Sequence, residues 1–198
     1  MLQAAYKSGI RVISVVIVVI LLTVAMAVGG ISLFGPEPSL ANDGNPGQRI
    51  LRFVAVSDAG TDATGIHHRI AMTGDGKFTS NHVNANGSFV HWDQNTAGPG
   101  LNILASGTWK SRKVLSYTRG FGTAGNIDSG ILEMEVDLFP EGGPRTTAVL
   151  RLICNIGFAG IATGEPEGYV LDIPSAGLTF NPLVPALGLT HISVPGSG

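Results

Sequence analysis

The sequence predicts an all-β domain, an antiparallel sandwich or small barrel, preceded by one N-terminal hydrophobic helix that exports or anchors it. Three observations support this prediction. The N-terminal region contains a long uncharged run, several later segments alternate strictly between apolar and polar residues, and no helical stripe follows residue 34. These later segments are short, rich in β-branched and aromatic residues, and bounded by Gly, Asn, Asp and Pro. About 8 to 11 strands are expected.

The N-terminal run has the charge pattern of an export signal. Lys7 and Arg11 precede residues 12–34, which contain no charged side chain. Roughly 20 apolar residues span a bilayer, and basic residues before such a run keep the N-terminus in the cytoplasm. Small-x-small patterns at 25–27 and 39–41 would allow cleavage as a signal peptide, whereas the length of the run favours an uncleaved anchor. Both alternatives stay open, and both place the remainder outside the cytoplasm.

The chain is therefore divided into three parts. Residues 1–41 are predicted to be a signal peptide or transmembrane signal anchor, residues 42–48 a linker, and residues 49–198 an extracytoplasmic β-domain. Within that domain, residues 174–198 are rich in Gly and Pro and are expected to form loop with at most short edge strands. The domain is long enough to bury a core without disulfides.

Composition restricts the partners and the cysteine chemistry. The chain has 12 Lys and Arg against 14 Asp and Glu, a formal net charge of −2, which argues against nucleic acid. Cys154 is the single cysteine, so no intrachain disulfide forms, and its strand-like setting predicts a buried side chain. The membrane is an expected partner through residues 12–34 if they are uncleaved. A small apolar ligand or an extracellular partner is also expected, because small barrels bind apolar molecules inside.

One hairpin can be aligned from charge and polarity together. Residues 131–139 alternate, with Glu133, Glu135 and Asp137 on one side, and residues 145–155 follow the break at 140–144. Apolar faces coincide and opposite charges meet in one register. That register pairs Val136 with Ala148, Met134 with Leu150, and Glu133 with Arg151.

Two further hairpins are predicted from the dipeptides Asp75-Gly76 and Asn86-Gly87, which favour type I′ turns. With a turn at Asn86-Gly87, His82 lies directly opposite His91. One face of the three strands then carries His67, Arg69, Ser80, His82, Asn84, His91 and Asp93. The buried face carries Ile70, Met72, Val83, Val90 and Trp92, with His68 on that side near the end of the sheet.

The polar face contains the ingredients of a metal site. His67, His82, His91 and Asp93 are the candidate ligands, and three imidazoles with one carboxylate suit Zn or Cu. The competing interpretation is an ordinary solvated face, because no motif of fixed ligand spacing accompanies these residues. No other cofactor is predicted.

Three segments resemble functional motifs but lack the sequence context that the corresponding chemistry needs. Residues 120–125 match G-x-G-x-x-G, but an alternating strand follows instead of the helix that dinucleotide binding needs. Residues 108–113, "TWKSRK", are interpreted as a basic turn on a solvated edge rather than an anion site. Glu165 and Glu167 lie two residues apart in a Pro- and Gly-containing loop, which is interpreted as solvated charge rather than a glycosidase acid pair.

The sequence therefore favours a binding or structural surface module that is exported or tethered to the membrane. The alternative is a small β-barrel enzyme of isomerase or cyclase type, with a pocket lined by Tyr117, Arg119 or the histidine face, or a metal-binding protein using His67, His82 and His91. No catalytic signature decides whether the protein is an enzyme. A filled barrel interior would favour the module, and an enclosed cavity with convergent polar groups would favour the enzyme.

Overall fold

The structure is a computed structural model that describes residues 47–95, 102–124, 127–155 and 163–194. The predicted export helix, the two cleavage patterns and most of the linker lie in residues 1–46, outside the described part. Among the described residues, no helix is both long and apolar enough to cross a membrane.

The described chain is an all-β closed barrel of eight antiparallel strands, so the prediction of an all-β domain is confirmed and the barrel alternative is the one observed. Each strand pairs with the next along the chain, and β8 pairs with β1 to close the barrel. A closed barrel leaves no exposed sheet edge. The strands are β1 (Arg49–Thr61), β2 (His67–Phe78), β3 (Val83–Asp93), β4 (Asn102–Ala124), β5 (Ile127–Pro140), β6 (Thr146–Cys154), β7 (Gly168–Ile173) and β8 (Leu178–Ser193).

The predicted register of the β5–β6 hairpin is confirmed. Val136 pairs with Ala148, Met134 with Leu150, and Glu133 with Arg151. The outward-facing carboxylates of β5 lie beside the basic residues of 108–113. Arg112 Nη1 lies 2.9 Å from Glu135 and Lys113 Nζ lies 3.4 Å from it, so these side chains pair across strands. The predicted basic turn is wrong, because these residues lie inside the long strand β4.

The barrel interior is filled by the chain's own side chains. Phe53 packs between Trp109 and Tyr169, with ring centroids 5.8 and 5.9 Å apart. Leucines and methionines from β5, β6 and β7 pack around these rings and are fully buried. Cys154 is also fully buried, as predicted. Burial of this kind is the main driving force for folding.

Glycines in the barrel wall make room for the aromatic rings. A Cβ atom at Gly74 would overlap the Trp109 ring and lie 2.6 Å from Phe53 Cε1. At Gly87, a Cβ would overlap the carbonyl of Thr73 and lie 2.6 Å from Trp109 Nε1. These glycines serve close packing rather than turns.

The turns predicted at Asp75-Gly76 and Asn86-Gly87 are therefore wrong. Asp75 pairs with Asn86 and Gly76 with Ala85 in the middle of the β2–β3 ladder. The chain reverses at residues 79–82, where the Thr79 amide donates to the carbonyl of His82 over 2.8 Å. Since β3 is uninterrupted, residues on either side of Asn86-Gly87 keep one alternation, and His91 lies on the same side as Val83.

The expectation of loop at the C-terminal end is also wrong. β8 runs from Leu178 to Ser193 and pairs with β1 over most of its length. The ladder contains one irregularity: Ser57 pairs with Pro182, but the adjacent Val56 pairs with Leu187. Residues 183–186 have no partner in this ladder, so the strand tolerates Pro185 there.

Candidate functional site

Polar side chains gather at both ends of the barrel. We call the end where β1 leads into β2 the histidine end, and the opposite end, where β1 begins, the arginine end. The antiparallel order brings the last residues of β1 and β3 and the first residues of β2 together at the histidine end.

The centre of the histidine end is a hydrogen-bonded chain of three side chains, Asp62, His68 and His91. His68 Nε2 lies 3.0 Å from Asp62 Oδ2, and His68 Nδ1 lies 2.9 Å from His91 Nε2. His68 is buried, and the His91 ring packs edge-on against Phe180 with centroids 5.4 Å apart. The pair lies over the apolar interior.

The loop between β1 and β2 fixes Asp62. Its Oδ1 accepts hydrogen bonds from the Thr64 amide, the Thr64 hydroxyl and the Ile66 amide at 2.7 to 3.0 Å. These donors, first Thr64 and then His68, hold the pKa of the Asp62 carboxyl well below its usual range. The carboxylate is therefore ionised at neutral pH and accepts the Nε2 proton of His68.

The charge on Asp62 places a proton on Nε2 of His68. One further proton lies between His68 Nδ1 and His91 Nε2 and forms the hydrogen bond that joins the two rings. Burial, and then the proximity of His68, lowers the pKa of His91 to about 4. His91 is thus neutral at pH 7.

A second polar group lies on the outside of the same end. Asp58 accepts from His67 Nε2 at 2.8 Å and from Arg69 Nε at 2.7 Å. Burial opposes ionisation of Asp58, but the hydrogen bonds from Arg69, Gly60 and His67 outweigh it and lower its pKa. Asp93 Oδ1 accepts from the amides of His67 and Asn95, both at 2.9 Å. These contacts tie β2 to the loop after β3.

The structure brings together some predicted ligands and separates others. His67 and Asp93 are near each other, but His67 is held by Asp58. His82 lies in the turn at the arginine end, nine positions from His91 along an extended strand, roughly 30 Å. The predicted opposition of His82 and His91 is wrong, because it required the turn at Asn86-Gly87. Within the described ranges, no group of three or more His, Cys, Asp or Glu side chains has a geometry that would hold a metal.

His68 and Asp62 are the residues that the sequence interpretation left out of the site. The signal for His68 was present, because its alternation with Ile70 and Met72 already placed it on the buried side. A buried imidazole at a strand end needs a polar partner. The neighbouring loop supplies one in Asp62.

The arginine end carries a buried carboxylate. Asp128 is 1% exposed and accepts from Arg49 Nε at 3.2 Å and Arg119 Nη2 at 2.9 Å. The Arg49 guanidinium lies 4.8 Å from the centroid of the Tyr117 ring. The Tyr117 hydroxyl is buried and, within the described part of the chain, no group meets it with good hydrogen-bond geometry, although the Arg49 side chain is close enough to favour its ionised form. Burial raises the pKa of Tyr117 although Arg49 opposes this.

Glu165 and Glu167, near the same end, each have a structural partner. Glu165 forms a two-pronged ion pair with Arg151, which lowers the pKa of the carboxyl. Glu167 accepts from the Thr190 amide at 2.8 Å and from the Asn155 amide at 2.5 Å. The two carboxylates thus fasten the loop before β7 to β6 and β8.

A scan against protein-family models gives no match, and searches of curated proteins and of solved structures find no match either.

Proposed function

We propose that this chain is an exported β-barrel domain, secreted or held at the membrane by residues 12–34, that acts as a binding or structural module through its outer surface. The export half of the proposal is supported by Lys7, Arg11 and the uncharged run that follows them. The surface half is supported by the packing of the barrel.

The filled interior is the observation that carries the proposal. Trp109, Tyr169 and Phe180 are all at most 1% exposed and occupy the space that a ligand-binding barrel leaves open. The glycines opposite the rings leave no free space in the interior, since a single added Cβ would overlap Trp109. A ligand or partner of such a barrel therefore binds to its outer surface.

The outer surface has side chains suited to contacts with a partner. Val54 of β1 pairs with Leu189 of β8, and both are exposed, as are Leu187 and Val184. Exposed apolar side chains grouped in this way are common at interaction surfaces.

Two interior methionines allow a direct test of the surface mechanism. The chain has 4 methionines, and Met72 and Met134 are fully buried in the barrel. We expect that their ¹³C-methyl NMR signals, in the full chain in detergent, stay unchanged when indole is added. The Trp109→Ala variant, whose cavity has the shape of indole, should show shifts. If Trp109→Ala does not fold, Leu150→Ala serves as the cavity control. Shifts in the parent protein would contradict the proposal.

Export is tested by a fusion of alkaline phosphatase after Gly198, which we expect to be active. Replacement of both Lys7 and Arg11 by Glu should reduce that activity, because the orientation signal is lost. An inactive phosphatase together with an active cytoplasmic reporter at the same position would contradict export.

A second candidate function, a small barrel enzyme of isomerase or cyclase type, is favoured by Tyr117. A buried phenol that keeps its proton beside Arg49 and Arg119 is a suitable donor to a developing anion. A buried hydroxyl without a partner also costs stability. We therefore expect Tyr117→Phe to raise the free energy of unfolding by about 1 kcal/mol.

The matched control for Tyr117 is Tyr169→Phe. The Tyr169 hydroxyl donates to the carbonyl of Ile70 over 2.7 Å, so its loss should lower stability by about 1 kcal/mol. Destabilisation by Tyr117→Phe would mean that its hydroxyl has a structural role and would remove the support for the enzyme.

A further inference from the structure

We propose that His68 and His91 are the protein ligands of an open site for Zn²⁺ or Cu²⁺, with Asp62 as the carboxylate that orients His68. This pair differs from the ligand set expected from the sequence, and it does not depend on whether the chain is exported or works through its surface.

The spacing of the two rings suits one bound ion. Two imidazoles on a tetrahedral ion, with metal–nitrogen distances of about 2.0 to 2.1 Å, have nitrogens roughly 3.3 Å and ring centroids roughly 5.2 Å apart. Here the facing nitrogens are 2.9 Å and the centroids 5.1 Å apart. The ring centres are thus already in place. The two nitrogens now point at each other along a hydrogen bond, so each ring must turn by roughly 35° about its centre for both nitrogens to point at one ion.

Asp62 occupies the position that a supporting carboxylate has in many metal sites. A ligating histidine commonly donates its second ring N–H to a carboxylate, which fixes the tautomer and raises the basicity of the ligand. His68 donates Nε2–H to Asp62 at 3.0 Å and directs Nδ1 at His91. Asp62 is itself held by Thr64 and Ile66, so the carboxylate is in place before a metal arrives.

The proton balance is simple. In the pair with one proton on each ring, the proton on His68 Nε2 faces Asp62 and the other lies between the two facing nitrogens. When the ion takes its place, the second proton moves to His91 Nδ1, so this form of the pair binds the ion with no net release of a proton.

Two protein ligands leave coordination positions for water or an added ligand. No third His, Cys, Asp or Glu completes the set among the residues that the structure describes. Open positions are typical of metal sites that bind an exchangeable molecule, whereas structural zinc sites are closed. We therefore expect reversible binding rather than metal-dependent folding.

Titration of the full chain in detergent with Zn²⁺, followed by calorimetry, tests the site. The parent should bind one ion, and His68→Ala and His91→Ala should each weaken binding at least tenfold. Asp62→Asn should weaken binding about 10- to 100-fold, because the carboxylate acts through His68. The matched controls are His67→Ala and His82→Ala, which remove imidazoles outside the pair and should bind as the parent does.

The electron paramagnetic resonance spectrum of bound Cu²⁺ identifies the ligands independently. We expect hyperfine splitting from two nitrogens in the parent and from one in His91→Gln, a variant that keeps a polar side chain. An unchanged circular dichroism spectrum shows that this variant is folded. Absence of binding in the parent, binding unaffected by His91→Gln and His68→Ala, or loss of binding in His82→Ala would each overturn the proposal.

Discussion

At the residue scale, His91 combines an interior position with a titratable ring. It faces the same side as Val83 and Phe89, contacts Phe180 edge-on and forms its hydrogen bond to His68. Protonation would place a charge in this apolar setting next to a second imidazole. The fold therefore favours the neutral ring, and the pKa of His91 is lowered from 6.5 to about 4.

This lowered pKa predicts a loss of stability in acid. Between pH 6.5 and 4 the unfolded chain binds a proton at His91 that the folded chain does not, so the free energy of unfolding falls as pH falls. Because the His91 ring is only partly buried and solvent screens its charge, the loss is at most about 2 kcal/mol across that window. Urea denaturation with chelator present should show a flatter pH profile for His91→Phe, whereas His82→Gln should keep the slope of the parent. Equal slopes in all three proteins would contradict the burial of His91.

At the same scale, packing of the aromatic rings requires that residue 74 has no side chain. Its missing Cβ leaves space for the rings of Trp109 and Phe53. Gly74→Ala should lower the free energy of unfolding by about 1 to 3 kcal/mol, as overpacking does. Gly143→Ala is the control, since the nearest contact of its Cβ is the flexible Pro140 ring at 3.3 Å. The double variant Gly74→Ala/Trp109→Phe should lose less than the sum of the two singles. Additive losses would show that Gly74 is not packed against Trp109.

These residues explain where prediction from the sequence stopped. Alternation correctly placed His68, Ile70 and Met72 inside, because it depends on neighbours in one strand. It failed for His91, because the Asn86-Gly87 dipeptide also predicts a turn. In the fold Gly87 is needed for the close approach of Thr73 and Trp109. Only the three-dimensional packing distinguishes a glycine that turns the chain from one that makes room for a ring.

At the element scale, β8 closes the barrel and contains one large irregularity in its pairing with β1. Its bulge, residues 183–186, interrupts pairing between two segments that both lie along β1. Because Pro182 and Leu187 pair with the adjacent residues Ser57 and Val56, the bulge can be removed without a change of register.

Deletion of residues 183–186 should therefore leave a folded barrel, with a change in the free energy of unfolding within about 1 kcal/mol. Deletion of residues 189–192 is the control of equal length, and it should abolish folding because these residues pair with β1. Circular dichroism and urea denaturation measure both. Unfolding caused by the first deletion would show that the bulge is an essential part of β8.

The strands that the sequence predicted best were those whose partners lie close in the chain. The β5–β6 register followed from two adjacent segments with matching charges and apolar faces. β8 was missed because its main partner, β1, lies at the other end of the domain and its prolines suggested loop. Barrel closure supplies the hydrogen bonds that make such a segment a strand.

At the scale of the whole molecule, closure and interior packing depend on each other. Tyr169 of β7 illustrates this, because its hydroxyl donates to the carbonyl of Ile70 in β2, and its backbone carbonyl accepts from the Ser57 hydroxyl of β1. A single buried residue thus links three strands across the barrel. Alternation predicted the all-β class, but the choice between sandwich and barrel depended on these long-range contacts.

The measurement that most directly tests the filled barrel is a crystal structure of the full chain under xenon pressure. Xenon enters dry apolar cavities and gives strong density there. We expect no xenon among Phe53, Trp109 and Tyr169 in the parent, and xenon at that position in the Trp109→Ala variant. Xenon bound inside the parent barrel would contradict the filled interior, and with it the proposal that this protein works through its outer surface.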